Sequence, residues 1–236
     1  MPKRPLFIIE APSNLGLMPL RPPTEPGVRR MSDALRAAGL HEALKPERLT
    51  GADWGAVFTR GTFSSRATLF WNRLDDVITN VTQSRTPTLI TQQRQNGDLV
   101  RAAGIELEGS WQRGGLSTTV TGTLVDSRFK GASGVRNNRV PQVPRTQLGV
   151  DVRYARAGWS GSGQFRLTGA QFEDDLNTLL LRRAHVLDVM GSRTLARVIT
   201  AFVAVENVFD REYDVGRTPI LTVGLPRTVL VEALEG

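Results

Sequence analysis

The chain has 236 residues, 40% hydrophobic and 22% charged, which suits one large domain or two small ones and sets no class by itself. It has no cysteine, which excludes disulfide frameworks, thiolate zinc sites and cysteine nucleophiles, and its two histidines, His41 and His185, are too few for a histidine-rich metal centre. The net charge of +7 would suit nucleic acid if the cations were concentrated on one face, but apart from Lys3, Lys45 and Lys130 they are arginines spread along the chain, so no nucleic-acid partner is expected.

Near the N-terminus, Leu6-Phe7-Ile8-Ile9 is an apolar run of buried-strand type, too short for the apolar core of a cleavable export signal. No stretch approaches the roughly 18 consecutive apolar residues of a membrane helix, so a place in a membrane would have to come from a β-barrel. Pro12, Gly16, Pro19, Pro22, Pro23, Pro26 and Gly27 fill a turn-rich connection. Val28, Met31, Leu35 and Ala38 then recur at helical spacing, with Gly39 as the C-cap. The segments APSNLGL and EPGVRRMSDALRAAGL resemble the first strand and first helix of the arginase and ureohydrolase family, over residues 4–43. That resemblance implies, as the alternative function, a metal-dependent hydrolase whose manganese ligands lie in Gly-Asp-His and Asp-x-His-x-Asp motifs on later strands; neither motif occurs in this chain. Residues 1–43 are expected to be a strand–loop–helix segment and not an independent domain, since about 40 residues rarely sustain a core. The composition changes between His41 and Leu44, and residues 44–236 read as strands and loops.

In residues 105–112, Ile105, Leu107, Gly109 and Trp111 alternate with Glu106, Glu108, Ser110 and Gln112. Leu116, Val120 and Leu124 alternate with Ser117, Thr119, Thr121 and Thr123, and Leu148, Val150, Val152 and Tyr154 with Gln147, Asp151 and Arg153. Trp159, Phe165 and Leu167 stand against Ser160, Gln164 and Arg166; Ile199, Ala201, Val203 and Val205 stand against Thr200, Ala204 and Glu206, with Phe202 out of pattern. Period-2 alternation means half-buried strands. A soluble sandwich and a membrane barrel both produce it, and Trp111, Tyr154 and Trp159 at strand ends fit either interfacial girdle residues or core aromatics. The period fixes one apolar side (Leu107, Trp111, Leu116, Val120, Val150, Tyr154, Phe165, Val203) and one polar side (Glu106, Glu108, Thr119, Asp151, Arg153, Arg166).

The C-terminal stretch ENVFDREYD, residues 206–214, followed by Gly224-Leu225-Pro226-Arg227-Thr228 before a last strand, resembles the C-terminal end of TonB-dependent outer-membrane receptors. The Trp71-Asn72 pair before Asp75-Asp76, the Arg101-x-x-Gly104-x-Glu106 strand start and the Pro141-x-x-Pro144-Arg145 hairpin resemble further segments of that family, so that the likeness runs over about residues 44–234. It implies an all-β fold: an antiparallel meander of about ten strands from a partial transmembrane β-barrel, with residues 44–236 as the C-terminal portion of the barrel. It also implies transport of a metal chelate such as a ferric siderophore, or of cobalamin, by a non-enzymatic receptor. The partners it implies are outer-membrane lipid, the TonB complex and the chelate ligand, with no catalytic residue and no bound cofactor or metal. No plug, TonB box, export signal or terminal aromatic is visible, and such transporters close with about 22 strands. The chain as written is therefore expected to be transport-incompetent alone and, without export, to stay in the cytoplasm.

Candidate chemistry is sparse. Asp75-Asp76 and Asp174-Asp175 are adjacent carboxylates whose side chains diverge on an extended chain, and both pairs read as solvated loop residues. His185 has no His or Cys partner nearby, and Gly131-Ala132-Ser133-Gly134 reads as a loop tip. The loop Phe129–Val143, with Lys130, Arg136, Asn137, Asn138 and Arg139, could meet an anionic ferric chelate if the receptor resemblance holds; otherwise it is a solvated loop.

Overall fold

The structure, a computed structural model, describes residues 44–236 except 87–88, 98, 132–133, 196–198, 219 and 236. The expected strand Leu6–Ile9, the helix from Val28 and the tip residues Ala132 and Ser133 lie outside the described residues. All regular structure among the described residues is β: β1 (Arg48–Arg60), β2 (Phe63–Asp75), β3 (Ile78–Arg85), β4 (Ile90–Asn96), β5 (Val100–Arg113), β6 (Leu116–Phe129), β7 (Thr146–Arg156), β8 (Trp159–Thr168), β9 (Gln171–Phe172), β10 (Leu180–Leu181), β11 (Ala184–Leu195), β12 (Ile199–Glu206), β13 (Asp214–Gly216), β14 (Thr222–Val223) and β15 (Thr228–Glu235). Nine of these form one sheet in the order β1-β2-β5-β6-β7-β8-β11-β12-β15, every pairing antiparallel. The other six make three local two-stranded pairs inside loops. The expected meander is present, with nine strands in the sheet against an expectation of about ten.

Connections at the two ends of the sheet differ in kind. At one end, Gly61-Thr62, Gly114-Gly115 and Ala157-Gly158 turn the chain in two residues each. Gly114 and Gly115 (φ 58° and 88°), and Ala157 and Gly158 (φ 52° and 78°), both have the paired positive φ of a type I′ turn, whose twist matches that of the flanking strands. Four long loops leave the other end: the first spans residues 76–99, the second 130–145, the third 169–183 and the fourth 207–227. Long loops on one side and tight turns on the other are the layout of a membrane barrel wall.

Register fixes the two faces, because residues directly opposite in an antiparallel pair share a side. The chain of pairs Phe63–Trp111, Leu107–Gly122, Val120–Val150, Val150–Phe165, Phe165–Leu187, Val189–Val205 and Val203–Val231 runs across the sheet on a single face. All eight residues expected on the apolar side lie there, and all six expected on the polar side lie opposite. The apolar face is also open: Trp54, Phe58, Leu69, Leu107, Leu124, Trp159 and Val231 are each at least half exposed. Among the described residues, large exposed apolar side chains on the polar face are few: Leu49, Val57, Met190 and Leu230. Trp111, Tyr154 and Trp159 sit on the apolar face beside the tight turns, and the Arg193 guanidinium lies 4.4 Å over the Trp159 ring.

The buried residues lie near the loops. Among the described residues, Val100, Ser127, Phe129, Ala184 and Val186 are buried at the loop end of the sheet, and register puts all five on the polar face. The loops therefore fold over the polar face, while the apolar face is left uncovered. Gly104 shows how tightly the polar face is fitted: a Cβ there would lie 2.3 Å from the Leu124 carbonyl oxygen and 2.7 Å from Phe70 Cζ. Phe70, an aromatic on the polar side, lies across the space that this missing side chain leaves.

Candidate functional site

The loop end is held together by the third loop. Asp174, 4% exposed, accepts from Thr178 N (2.8 Å), Leu179 N (2.7 Å) and the Thr178 hydroxyl, closing a turn in which Asn177 takes φ 57°. Asp175, 2% exposed, reaches the first loop and accepts from Thr82 N (3.0 Å) and Thr82 Oγ1. The reading of this pair as solvated loop carboxylates is corrected here. The two side chains do diverge, but each consumes backbone and hydroxyl donors and is buried by doing so. Glu173 ties the fourth loop, accepting from Thr218 Oγ1 (2.7 Å), Thr218 N and Arg217 N, while Arg217 donates to the Leu180 carbonyl at 3.0 Å.

Arg182 clamps the fourth loop with a two-toothed grip on Asp214, Nε at 3.0 Å and Nη2 at 2.9 Å. The Asp214 carboxylate is 3% exposed, and the Arg182 guanidinium bonded to it holds its pKa below the ordinary carboxylate value; the same bond raises that of Arg182.

The second loop carries Lys130, Arg136, Arg139 and Arg145 without an acidic residue, so it is the most cationic of the four. Most of its candidate ligand residues are engaged within the protein. Lys130 Nζ donates to Asn137 Oδ1 at 3.0 Å, and Arg128 Nη1 to the Asn137 carbonyl at 2.9 Å. Asn138 Nδ2 donates to the Asp175 carbonyl at 2.8 Å; Arg139 exchanges backbone-to-side-chain bonds with Asn177 (2.7 and 2.9 Å) and lies 5.9 Å over the Phe172 ring. Arg136 is exposed and makes no hydrogen bond or ion pair with the described residues. Between the first, second and third loops lies a cavity of about 320 Å³, walled by Thr79, Thr82, Gln95, Phe129, Val135 and Asp175, within the size range of small-molecule sites. Among the described residues no three His, Cys, Asp or Glu side chains converge as a metal site, and no helix is long and apolar enough to cross a membrane.

The C-terminal motif is a second knot of bonds. Asn207, 3% exposed at φ 49°, accepts from Arg211 N (2.9 Å), donates to the carbonyls of Arg211 and Leu225 (both 3.0 Å), and its own N–H goes to Asp188 at 2.8 Å. Asp210 accepts from Arg227 N at 2.9 Å. A Cβ on Gly224 would fall 2.0 Å from Tyr213 Cζ, so that ring needs glycine beneath it. Asn207, Asp210, Tyr213, Gly224 and Arg227 thus fasten the turn after β12 to the approach of β15.

A family model described as TonB dependent receptor-like, beta-barrel, matches residues 20–208. The chain belongs to this family. Its resemblance to the receptors is thereby established, and its sheet is a barrel-wall sheet. Solved structures carry the same fold. The ferric yersiniabactin uptake receptor from Yersinia pestis aligns with TM-score 0.67 and 24% identity, over 80% of this chain and 30% of its own. The ferric preacinetobactin receptor from Acinetobacter baumannii aligns at 0.63 and 17%, over 80% and 30%, and a copper transporter at 0.65 and 18%, over 82% and 33%. The receptor-like chain spans about a third of the length of these proteins. No curated protein sequence matches it. The arginase-like reading of residues 4–43 gains no support, and the receptor match, which opens at residue 20, overlaps that stretch.

Proposed function

We propose that residues 44–236 form the C-terminal portion of the wall of an outer-membrane active transporter for a metal chelate of the ferric siderophore kind, or for cobalamin, with the TonB complex as energy-coupling partner. The observation that carries this is the separation of side chains across nine strands: a continuous exposed apolar face on one side, a polar face with Glu106, Glu108, Asp151, Arg153 and Arg166 on the other. The apolar face suits lipid and the polar face a wet lumen, with tight turns toward the periplasm and loops outward. The wall performs no bond chemistry, and the chain is not an enzyme.

The sheet itself does not close. β1 and β15 are its edges, whose unpaired backbone groups are costly to place in lipid. With nine antiparallel strands, β1 and β15 run in the same direction, so joining them would need a parallel pair in an antiparallel wall. Transport therefore requires further strands, odd in number, between those edges. At the mouth, the second loop supplies the charge for an anionic chelate, with Arg136 as the group free to meet it and Lys130, Asn137, Asn138 and Arg139 shaping the loop around it.

The test is ligand binding by the protein folded in detergent, read as quenching of tryptophan fluorescence by a panel of ferric siderophores, other metal chelates and cobalamin. Saturable binding of one anionic chelate, weakened about tenfold or more in Arg136→Glu, is expected. Saturable binding of none would overturn the ligand reading.

A further inference from the structure

The apolar face has a charged border. Strand register sets Arg73 directly opposite Arg101, and Arg101 directly opposite Arg128, and an isolated bridge carries the row on to Arg139. In sequence these arginines are far apart, and only the pairing of β2, β5 and β6 brings them side by side. Like charges directly opposite across strands are unfavourable, so a row of them needs a counter-charge. The protein supplies only part of it: Asp75 holds Arg73 at 2.9 Å, and Asp126 holds Arg128 at 2.9 Å. Arg101, exposed in the middle, makes no hydrogen bond or ion pair with the described residues. The next row away from the loops is Trp71, Ala103 and Asp126, and the one after it Leu69, Ile105 and Leu124. Cations therefore stand where the apolar face ends toward the loops, with Trp71 and Ala103 below Arg73 and Arg101, Asp126 below Arg128, and a wholly apolar row after that.

We propose that the Arg73–Arg101–Arg128 row binds the phosphate headgroups of membrane lipids on the loop side of the bilayer, with their acyl chains along the apolar residues beneath. The chemistry required is an anion joined to an apolar tail, since the row and the apolar surface are continuous. Arginine suits phosphate because its planar fork can grip two oxygens at once. A headgroup phosphate over Arg101 would complete the alternation Asp75–Arg73–phosphate–Arg128–Asp126. This inference rests on the lipid-facing reading of the apolar face.

The experiment is co-flotation of the refolded chain with phosphatidylcholine vesicles and with vesicles of phosphatidylcholine and phosphatidylglycerol. Arg101→Gln is the main variant, because Arg101 has no partner whose loss would disturb folding; Arg101→Glu is the second, and Arg66→Gln, exposed on the polar face, is the control. Phosphatidylglycerol should raise partitioning, Arg101→Gln should lower that gain about fivefold and Arg101→Glu more, with Arg66→Gln unchanged. Millimolar inorganic phosphate should not compete. Flotation with both vesicle types and no gain from phosphatidylglycerol, or a gain that Arg101→Gln keeps, overturns the headgroup site and leaves the lipid-facing reading standing. Full competition by inorganic phosphate overturns it in favour of free phosphate. Failure to float with either vesicle overturns both readings.

Discussion

Replacing Asp175 by Ala should open the mouth of the sheet without melting its wall. The carboxylate is 2% exposed and accepts two bonds from Thr82, one from the amide at 3.0 Å and one from the hydroxyl. A hydrogen bond to a charged acceptor contributes about 1.5–3 kcal/mol, and removing the acceptor leaves its donors unpaired. Because both bonds share one carboxylate and the loop can relax, the combined loss comes to about 2–4 kcal/mol. As a local opening this means hydrogen exchange at the Thr82 amide faster by roughly 30- to 1,000-fold. Exchange measured on the protein in detergent micelles should show this at Thr82 and in the 173–179 turn, while β5 through β8 keep their protection. Asp175→Asn, which retains an acceptor without the charge, should lie between. Unchanged exchange at Thr82, or equal acceleration across the sheet, would refute the view that Asp175 joins the first and third loops.

The remaining predictions concern single positions. Asp214 has its folded pKa held below the ordinary carboxylate value by Arg182, so its contribution is fully present above about pH 4 and is lost as the pH falls through that lower folded value; Asp214→Asn should remove this acid dependence from exchange at the fourth loop. Ala157→Gly should raise stability by about 1 kcal/mol in denaturant titration, because an L-residue at φ 52° is strained and glycine is not. Gly104→Ala should lower stability by about 1–3 kcal/mol in the same titration, since its Cβ would meet a carbonyl oxygen at 2.3 Å.

Much of the wall is legible in the sequence because a strand's period is local. Ile105 to Gln112 shows its two sides in consecutive letters, and pairing adds only which strand lies beside it. Phe70 and Phe202 break the pattern; for Phe70 the reason is the space at Gly104 on a neighbouring strand, which no local window contains. The motif from Glu206 to Thr228 is legible as a motif, but that Asn207 bonds the Leu225 carbonyl comes only from the fold. Asp175 reads as solvated in the sequence because its partner, Thr82, is 93 residues away; the partners of Asp174, Thr178 and Leu179, are local, but the turn that brings their amides to its carboxylate is not spelled in the period of a strand. The arginine row has the same cause: Arg73, Arg101 and Arg128 show no local pattern, and register alone aligns them. The second loop's charge was legible, while the use of Asn138 and Arg139 to hold the third loop was not, because those bonds join separate loops.

The most direct test of the lipid-facing wall uses the absence of native cysteine, which allows single labels at Leu107→Cys and Glu108→Cys, adjacent residues on opposite faces of β5. Each variant carries an environment-sensitive fluorophore in vesicles and is quenched in turn by a nitroxide on the lipid chains and by aqueous iodide. A lipid-facing Leu107 side and a wet Glu108 side give strong lipid quenching and weak iodide quenching at position 107, with the reverse at 108; equal quenching at both positions, or the opposite order, would overturn the assignment of the faces.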